Sequence, residues 1–424
     1  MFNLKRVYAT ISFEKHFIKV LVLENTIDKK INCLYYDYEK LDYLNEDLTF
    51  KNINHLKNSL IKLIKNVDEF MGMNVKRYII NISCLSIKSI KGVSQKYLAF
   101  GTITNNLYNN YVDKVKIMLC SNNEYSFNIV PTKWFVDNKP FDAFPESEYG
   151  KTIHYEFTAL VANQKIVNQF IDVLNSIKIT ALKITCNSLC LGDIIENYGI
   201  DSLIVDVKVN KTNINIYDKN KKIKAIVNLQ FGSNWYVENI RKLLKLERQE
   251  QVYDVVNTLT NLNLSNNQEA SLINIHTKNF LQYKDITNYG ISNVLKIVNK
   301  LFIEKITPII LSLRVKLKSN FNKIIFNTND ELHDIFNIAC RKALDNGMII
   351  ENIDNNIIGL ESCAINNMLA SVKYVYREQT SLYDHHLYSV DPYTQSNVSL
   401  NQMRKGLAIK LGIISTNFAA KLGE

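Results

Sequence analysis

Between residues 201 and 232 apolar and polar positions alternate. Val205, Val207 and Val209 are set against Asp206, Lys208 and Asn210, and Ile214 and Ile216 against Asn213 and Asn215. After the polar stretch 218–221 a return run follows through Ile223, Ala225, Val227 and Leu229. Period two around polar turns predicts a pair of strands. Phe231 and Gly232 then lead into 237–250, where Ile240, Leu243, Leu244 and Leu246 fall on one helical face. The same alternation of patterns recurs along the chain. Residues 6–24 read as two strands joined by 12–17, 56–71 as a helix, 77–90 as a strand run, and 125–138 and 153–161 as strands. Helices are expected at 164–179, 182–197 and 290–313, the last ended or kinked by Pro308. A buried strand and an amphipathic helix share 323–347, and 371–377 reads as a strand. Strands interleaved with helices define an α/β chain.

The end of the chain changes character twice. Residues 378–401 are polar and without period, the composition of a tether. From there Met403, Leu407, Leu411, Ile414, Phe418 and Leu422 step by three or four and fall on one stripe, with Arg404, Lys405, Lys410 and Lys421 beside or away from it. A terminal basic amphipathic helix beyond a polar leash is the pattern of an interfacial membrane anchor for anionic lipids. The alternative is a helix docked on the protein's own core. Ile409 and Ile413 on the opposite side, and the helix-weakening Gly406 and Gly412, are what keep that alternative open.

Composition narrows the function classes. At 424 residues with 46% hydrophobic content, the chain can bury more than one core. Its 13 glycines are few for a protein that cradles phosphates. The net charge of +10 suits an anionic surface, but abundant Asn, Lys, Ile and Tyr point to an AT-rich coding sequence that inflates lysine. No nucleic-acid partner is expected. The 7 cysteines stand singly in apolar runs, so they read as reduced core thiols, and His385-His386 on the tether is a poor metal pair. With no signal peptide and no apolar span of membrane length, the expected location is the cytoplasmic side of the cell membrane.

The strand, turn, strand, glycine, helix order of 201–250 resembles the second phosphate-loop unit of the actin and Hsp70 superfamily. Asp206, Thr212 and Gly232 match that pattern, whereas its three glycines are replaced by Lys208, Val209 and Asn210. The first loop places Ser12 at the magnesium-holding aspartate, Glu14 at a glycine and Lys15 at a threonine. The adenosine loop falls on Asn327, Thr328 and Asn329, again without glycines. Segments 125–138, 141–150, 153–161 and 164–179, including Ile129-Val130-Pro131, resemble in order and spacing the bacterial division protein family FtsA.

That resemblance implies a two-lobed actin-like fold with ribonuclease H-like subdomains 1A and 2A. Its boundaries would be 1A at 1–83, an inserted 1C (SHS2-like) at 84–161, 1A with the interlobe helix at 162–199, 2A at 200–232, 2B at 233–310, 2A at 311–348 and 1A at 349–377. A flexible linker at 378–401 and the amphipathic helix at 402–424 would close the chain. It implies ATP with Mg²⁺ as cofactor, held at the positions of Ser12, Lys15, Asp206, Thr212, Asn213, Gly232, Thr328 and Asn329, and the drifted loops imply that turnover is lost or weak. It also implies self-association as a polymer or dimer at the division site. The FtsZ C-terminal tail would be the partner, met on 2B near Arg241, Lys296 and Lys300. An active ATPase of the sugar-kinase or Hsp70 branch, and an adaptor of pilus assembly resembling PilM, are the rival readings.

Overall fold

The computed structural model describes residues 6–25, 31–195, 201–219, 221–252, 288–318, 323–328, 349–352 and 362–383. In chain order, β1 (Arg6–Phe13), β2 (Phe17–Asn25) and β3 (Ile31–Lys40) form an antiparallel meander. Helix α1 (Ile53–Met71) follows, capped at its start by the Asn52 side chain, which accepts from the N–H groups of Asn54 and His55. It ends at Gly72, whose φ of 66° is the left-handed conformation a side chain resists. Leu56, Leu60, Leu63 and Val67 line its buried face. β4 (Arg77–Ile82) returns parallel to β1, buried on both faces, as a central strand must be.

A separate sheet then intervenes, built from β5 (Lys88–Val93), β6 (Tyr97–Thr102), α2 (Asn105–Ser121), β7 (Glu124–Val136), β8 (Lys139–Phe141) and β9 (Tyr149–Asn163). Its core is aromatic. Trp134 packs on Tyr108, Tyr111, Phe144 and Tyr155 with ring centroids 4.5–6.5 Å apart. Helix α3 (Gln164–Ser176), capped by Asn163, leads back to β10 (Thr180–Thr185), which pairs parallel to β4. The first sheet therefore runs β3-β2-β1-β4-β10. A short α4 (Asn187–Cys190) and a 3₁₀ turn (Leu191–Ile194) follow.

The second unit repeats the plan. β11 (Ser202–Val207), β12 (Thr212–Tyr217) and β13 (Ile223–Leu229) form another antiparallel meander, followed by α5 (Ser233–Leu243), α6 (Asn288–Leu317), β14 (Lys323–Thr328) and β15 (Ile349–Asn352). Its sheet runs β13-β12-β11-β14-β15, the same succession of three antiparallel and two parallel strands. Val205, Val207, Ile214 and Ile216 pack against Val237 and Ile240 of α5 and Val298, Phe302, Ile306 and Ile310 of α6. Helix α7 (Ser362–Tyr383) completes the described residues, and the division into two compact units falls within it, between Asn366 and Asn367.

Several sequence expectations are corrected. The 201–232 stretch makes three strands rather than two, because Lys208–Lys211 closes as a turn instead of continuing β11. The 77–90 run splits into β4 and β5, which join different sheets, where Ser83 turns back to bond the Phe13 carbonyl through both its N–H and its hydroxyl. The helix expected at 182–197 is strand β10 plus two short turns, since parallel pairing with β4 overrides an ambiguous apolar run. Helix 237–250 is Ser233–Leu243. Residues 349–352 belong to the second sheet, not with the first unit as the 349–377 boundary had it.

The 371–377 strand and a linker from 378 give way to α7. There Ile365, Met368, Leu369, Val372 and Val375 are buried at helical spacing that a window starting at 371 cannot register. Pro308 neither ends nor breaks α6. It sits on the solvent side, so the backbone acceptor it leaves unused faces water, and the Thr307 hydroxyl donates to the Ile303 carbonyl at 2.8 Å. Residues 402–424, the rest of the linker, the Asn-rich 257–279 and the helix expected after Asn329 lie outside the described residues.

Trp134→Ala removes the centre of the third sheet's core and should lower stability by about 3–5 kcal/mol. A urea titration followed by circular dichroism measures the loss.

Candidate functional site

In the first unit the loop after β1 is Glu14, Lys15 and His16, held tight by the Glu14 N–H donating to the Phe17 carbonyl at 2.9 Å. The Glu14 carboxylate does not face outward. It meets Lys19 Nζ at 2.9 Å, both side chains being about nine-tenths buried, and Tyr43 donates its hydroxyl to the Glu14 carbonyl. Burial, with Lys15 adding to it, holds the His16 imidazole below its ordinary pKa.

Ser12 is fully buried one residue before the end of β1, in register with Lys19 on β2 and Asn81 on β4, and its hydroxyl has no partner among the described residues. Asn81 in turn donates to Ser371 Oγ at 2.7 Å and to the Asn367 carbonyl at 3.4 Å, and Thr185 shares Ser371 at 3.0 Å.

Asp206 takes the matching place in the second unit, one residue before the end of β11, in register with Asn213 and Asn327. Asn327 Nδ2 donates to Asp206 Oδ1 at 2.7 Å, and Asn366 Nδ2 donates to Asn327 Oδ1 at 3.3 Å. Lys208 Nζ stands 3.9 Å from the other carboxylate oxygen. Thr212 is tied to the Phe231 carbonyl at 2.8 Å, and Asn213 is buried. Asn81 is the neighbour of this arrangement that sequence reasoning missed; its signal, like that of Asn327, is a polar residue inside an otherwise apolar buried strand.

Gly232 explains the turn between them. A Cβ at Gly232 would lie 1.9 Å from the Lys208 carbonyl oxygen and 2.7 Å from the Lys211 nitrogen, so only glycine admits this approach. The turn closes through Lys208 N–H to the Lys211 carbonyl at 2.8 Å, and α5 begins directly on it. Ser233 and Asn234 donate their N–H groups to the carbonyls of Lys208 and Val209 at 2.9 Å, and Trp235 and Tyr236 donate to the Gly232 carbonyl. A helix start offers anions its first unsatisfied N–H groups, and here those of Ser233, Asn234 and Trp235 have protein acceptors, the Tyr236 N–H making the first regular helix bond.

The remaining expected site residues are dispersed. Thr328 ends β14 opposite Val207, and Asn329 lies outside the described residues. Arg241 grips Glu238 through Nε and Nη2 at 2.8 and 2.7 Å and the Leu246 carbonyl through Nη1 at 3.0 Å. That grip pulls the Glu238 carboxyl down to about 2 and occupies the arginine within α5 and its C-terminal turn. Lys300 is exposed on α6, 3.9 Å from Glu304, while the side chain of Lys296 lies outside the described set. No group of three or more metal-ligating side chains occurs among the described residues.

No protein-family model and no curated protein matches the chain. Solved structures do. A chain of the PilM–PilN type IV pilus biogenesis complex is 10% identical with a TM-score of 0.54, covering 87% of this chain and 98% of its own. The ethanolamine utilization protein EutJ from Carboxydothermus hydrogenoformans is 9% identical with a TM-score of 0.45, covering 87% and 90%. MreB 5 of Spiroplasma citri bound to AMPPNP is 11% identical with a TM-score of 0.44, covering 89% and 98%. With the doubled strand order, the first of these defines a mixed α/β protein of the actin-like ATPase fold. At such identity the likeness concerns fold alone.

The residues present do not fit the magnesium nucleotide that this fold implies. A buried carboxylate already paired with lysine stands in the first loop, a hydroxyl replaces the metal-holding acid, and the second loop's helix amides are taken by carbonyls.

Lys19→Met should destabilise the protein by about 3–5 kcal/mol by removing the ammonium that neutralises the buried Glu14 carboxylate, and Glu14→Gln in the same chain should restore most of it. Equilibrium urea denaturation of the two single variants and the double variant tests this. Gly232→Ala should cost about 3 kcal/mol through overpacking against backbone, read as a lowered urea midpoint at unchanged slope.

Proposed function

We propose that this chain works as an actin-fold adaptor, by binding and self-association rather than by ATP turnover. The observation that carries the reading is the content of the two loops: Glu14 with Lys19 in one, and the closed Lys208–Lys211 turn on the start of α5 in the other. Each fills with protein groups the space where this architecture elsewhere receives phosphate. The FtsA resemblance of the sequence extends the reading to a tether that aligns several copies and holds FtsZ filaments at the inner face of the cytoplasmic membrane through 402–424. A single short amphipathic helix binds membrane marginally, and polymerised copies convert that weak affinity to firm attachment by avidity.

The match to the PilM–PilN complex favours a second reading, an adaptor of pilus type that takes a partner's peptide tail. A basic amphipathic segment at the end of the chain weighs toward the membrane tether. Among the described residues no helix is long and apolar enough to cross a membrane, in keeping with attachment from one side.

Magnesium ATP at millimolar concentration should leave the melting temperature of the full chain within about 1 °C, whereas stabilisation by several degrees together with turnover would overturn the adaptor reading. Deleting 403–424 should abolish sedimentation with anionic liposomes, and addition of FtsZ should bring filaments to the vesicles only with the intact chain. Binding of a PilN-like tail in place of FtsZ would decide for the second reading.

A further inference from the structure

Helix α6 buries Val298, Phe302, Ile306 and Ile310 in the second unit's core. Its opposite side is largely apolar as well. At about 100° per residue, Ile297, Leu301, Pro308, Leu311 and Val315 fall within an arc of about 80° that faces away from the core, interrupted by one exposed acid, Glu304, which falls inside the same arc with Lys300 3.9 Å from its carboxylate. These residues are exposed: Val315 by 79%, Ile297 by 48%, Leu311 by 46% and Leu301 by 39%. A surface helix ordinarily turns polar residues to solvent, so an apolar seam running about 27 Å along one marks a contact surface.

Charge and shape identify what the seam meets. Lys300 flanks it on one side, Lys305 and Lys316 on the other, and all three are exposed. Glu304 is the single acid of the helix, with Lys300 3.9 Å away. Beside Lys305 lie Phe231 and Trp235, whose half-buried rings sit 5.4 Å from its ammonium. A second copy is a poor occupant, because it would bring these lysines against their own counterparts on a chain of net charge +10. The seam is the exposed side of a single helix and lines no cavity found among the described residues, whereas a helical peptide is received by a groove. An apolar ridge with lysines on both flanks and an indole at its margin matches the boundary between anionic headgroups and acyl chains, where aliphatic residues sink and lysines snorkel outward.

We propose that the outer face of α6, from Ile297 to Val315, lies against an anionic lipid surface and forms a membrane contact of the folded domain separate from 402–424. It deepens the tether reading by fixing which side of the second unit faces the bilayer, and it stands on α6 alone.

The test is flotation of the full chain with vesicles of phosphatidylcholine and phosphatidylglycerol at 3:1, with hydrogen–deuterium exchange of α6 read in parallel. L311E/V315E should lower the bound fraction at least about tenfold, since two aliphatic side chains no longer enter the interface. Both positions are exposed, so the melting temperature should stay as in the unaltered chain. Vesicles should slow exchange across 297–315, and pure phosphatidylcholine should not. If L311E/V315E floats like the unaltered chain while deletion of 403–424 abolishes flotation, the α6 contact is overturned and the terminal tether stands. If L311E/V315E loses flotation while the deletion keeps it, the α6 contact stands and the terminal anchor falls. Protection of α6 by a synthetic Leu/Glu amphipathic peptide, with none from vesicles, overturns the lipid assignment in favour of an acidic protein partner.

Discussion

A carboxylate removed from water has to be met by a cation or by hydrogen-bond donors, and that requirement shapes both loops of this protein. Glu14 is met by Lys19, and Asp206 by Asn327 with Lys208 nearby. In an actin-like fold that ligates magnesium and phosphate, strand-end polar groups stay available for the ligand. Here the Glu14 and Asp206 carboxylates are met by protein groups, whereas the buried Ser12 hydroxyl has no partner among the described residues. The doubled sheet supplies the same place twice, at Ser12 and at Asp206, and the neighbouring strand places an asparagine beside each.

Three antiparallel strands joined to two parallel ones, each central strand buried on both faces, form a stiff platform whose outer helices and inserted sheet are available for contact. The aromatic core around Trp134 gives the inserted sheet its own stability. On the other unit, α6 is apolar on both sides, one side meeting the sheet and the other meeting solvent. Surfaces carried on rigid elements bind without losing affinity to ordering at each encounter.

The alternation of apolar and polar residues made most strands and helices legible, as did the glycine before α5. Gly232 was recognised for the right place but for a different reason. Its pattern suggested room for phosphate, while the structure uses it to let the Lys208 carbonyl approach the start of α5. The α7 helix was hidden because SVKYVYR alternates locally, and only burial at Ile365, Met368 and Val372 reveals the longer period. Strand β10 was hidden for the converse reason, a short apolar run with no period of its own.

The chain by itself determined the α/β class, an antiparallel strand pair at the start of each unit and the erosion of glycine at the loops, because these depend on residues adjacent in sequence. Tertiary structure decided what lies far apart along the chain. That includes the pairing of β14 and β15 with β11, the asparagine set against Asp206 across 121 residues, and which face of α6 is left to solvent. The physical reason is that periodicity reports which positions are buried, whereas the partner buried against each is chosen only when the sheet closes.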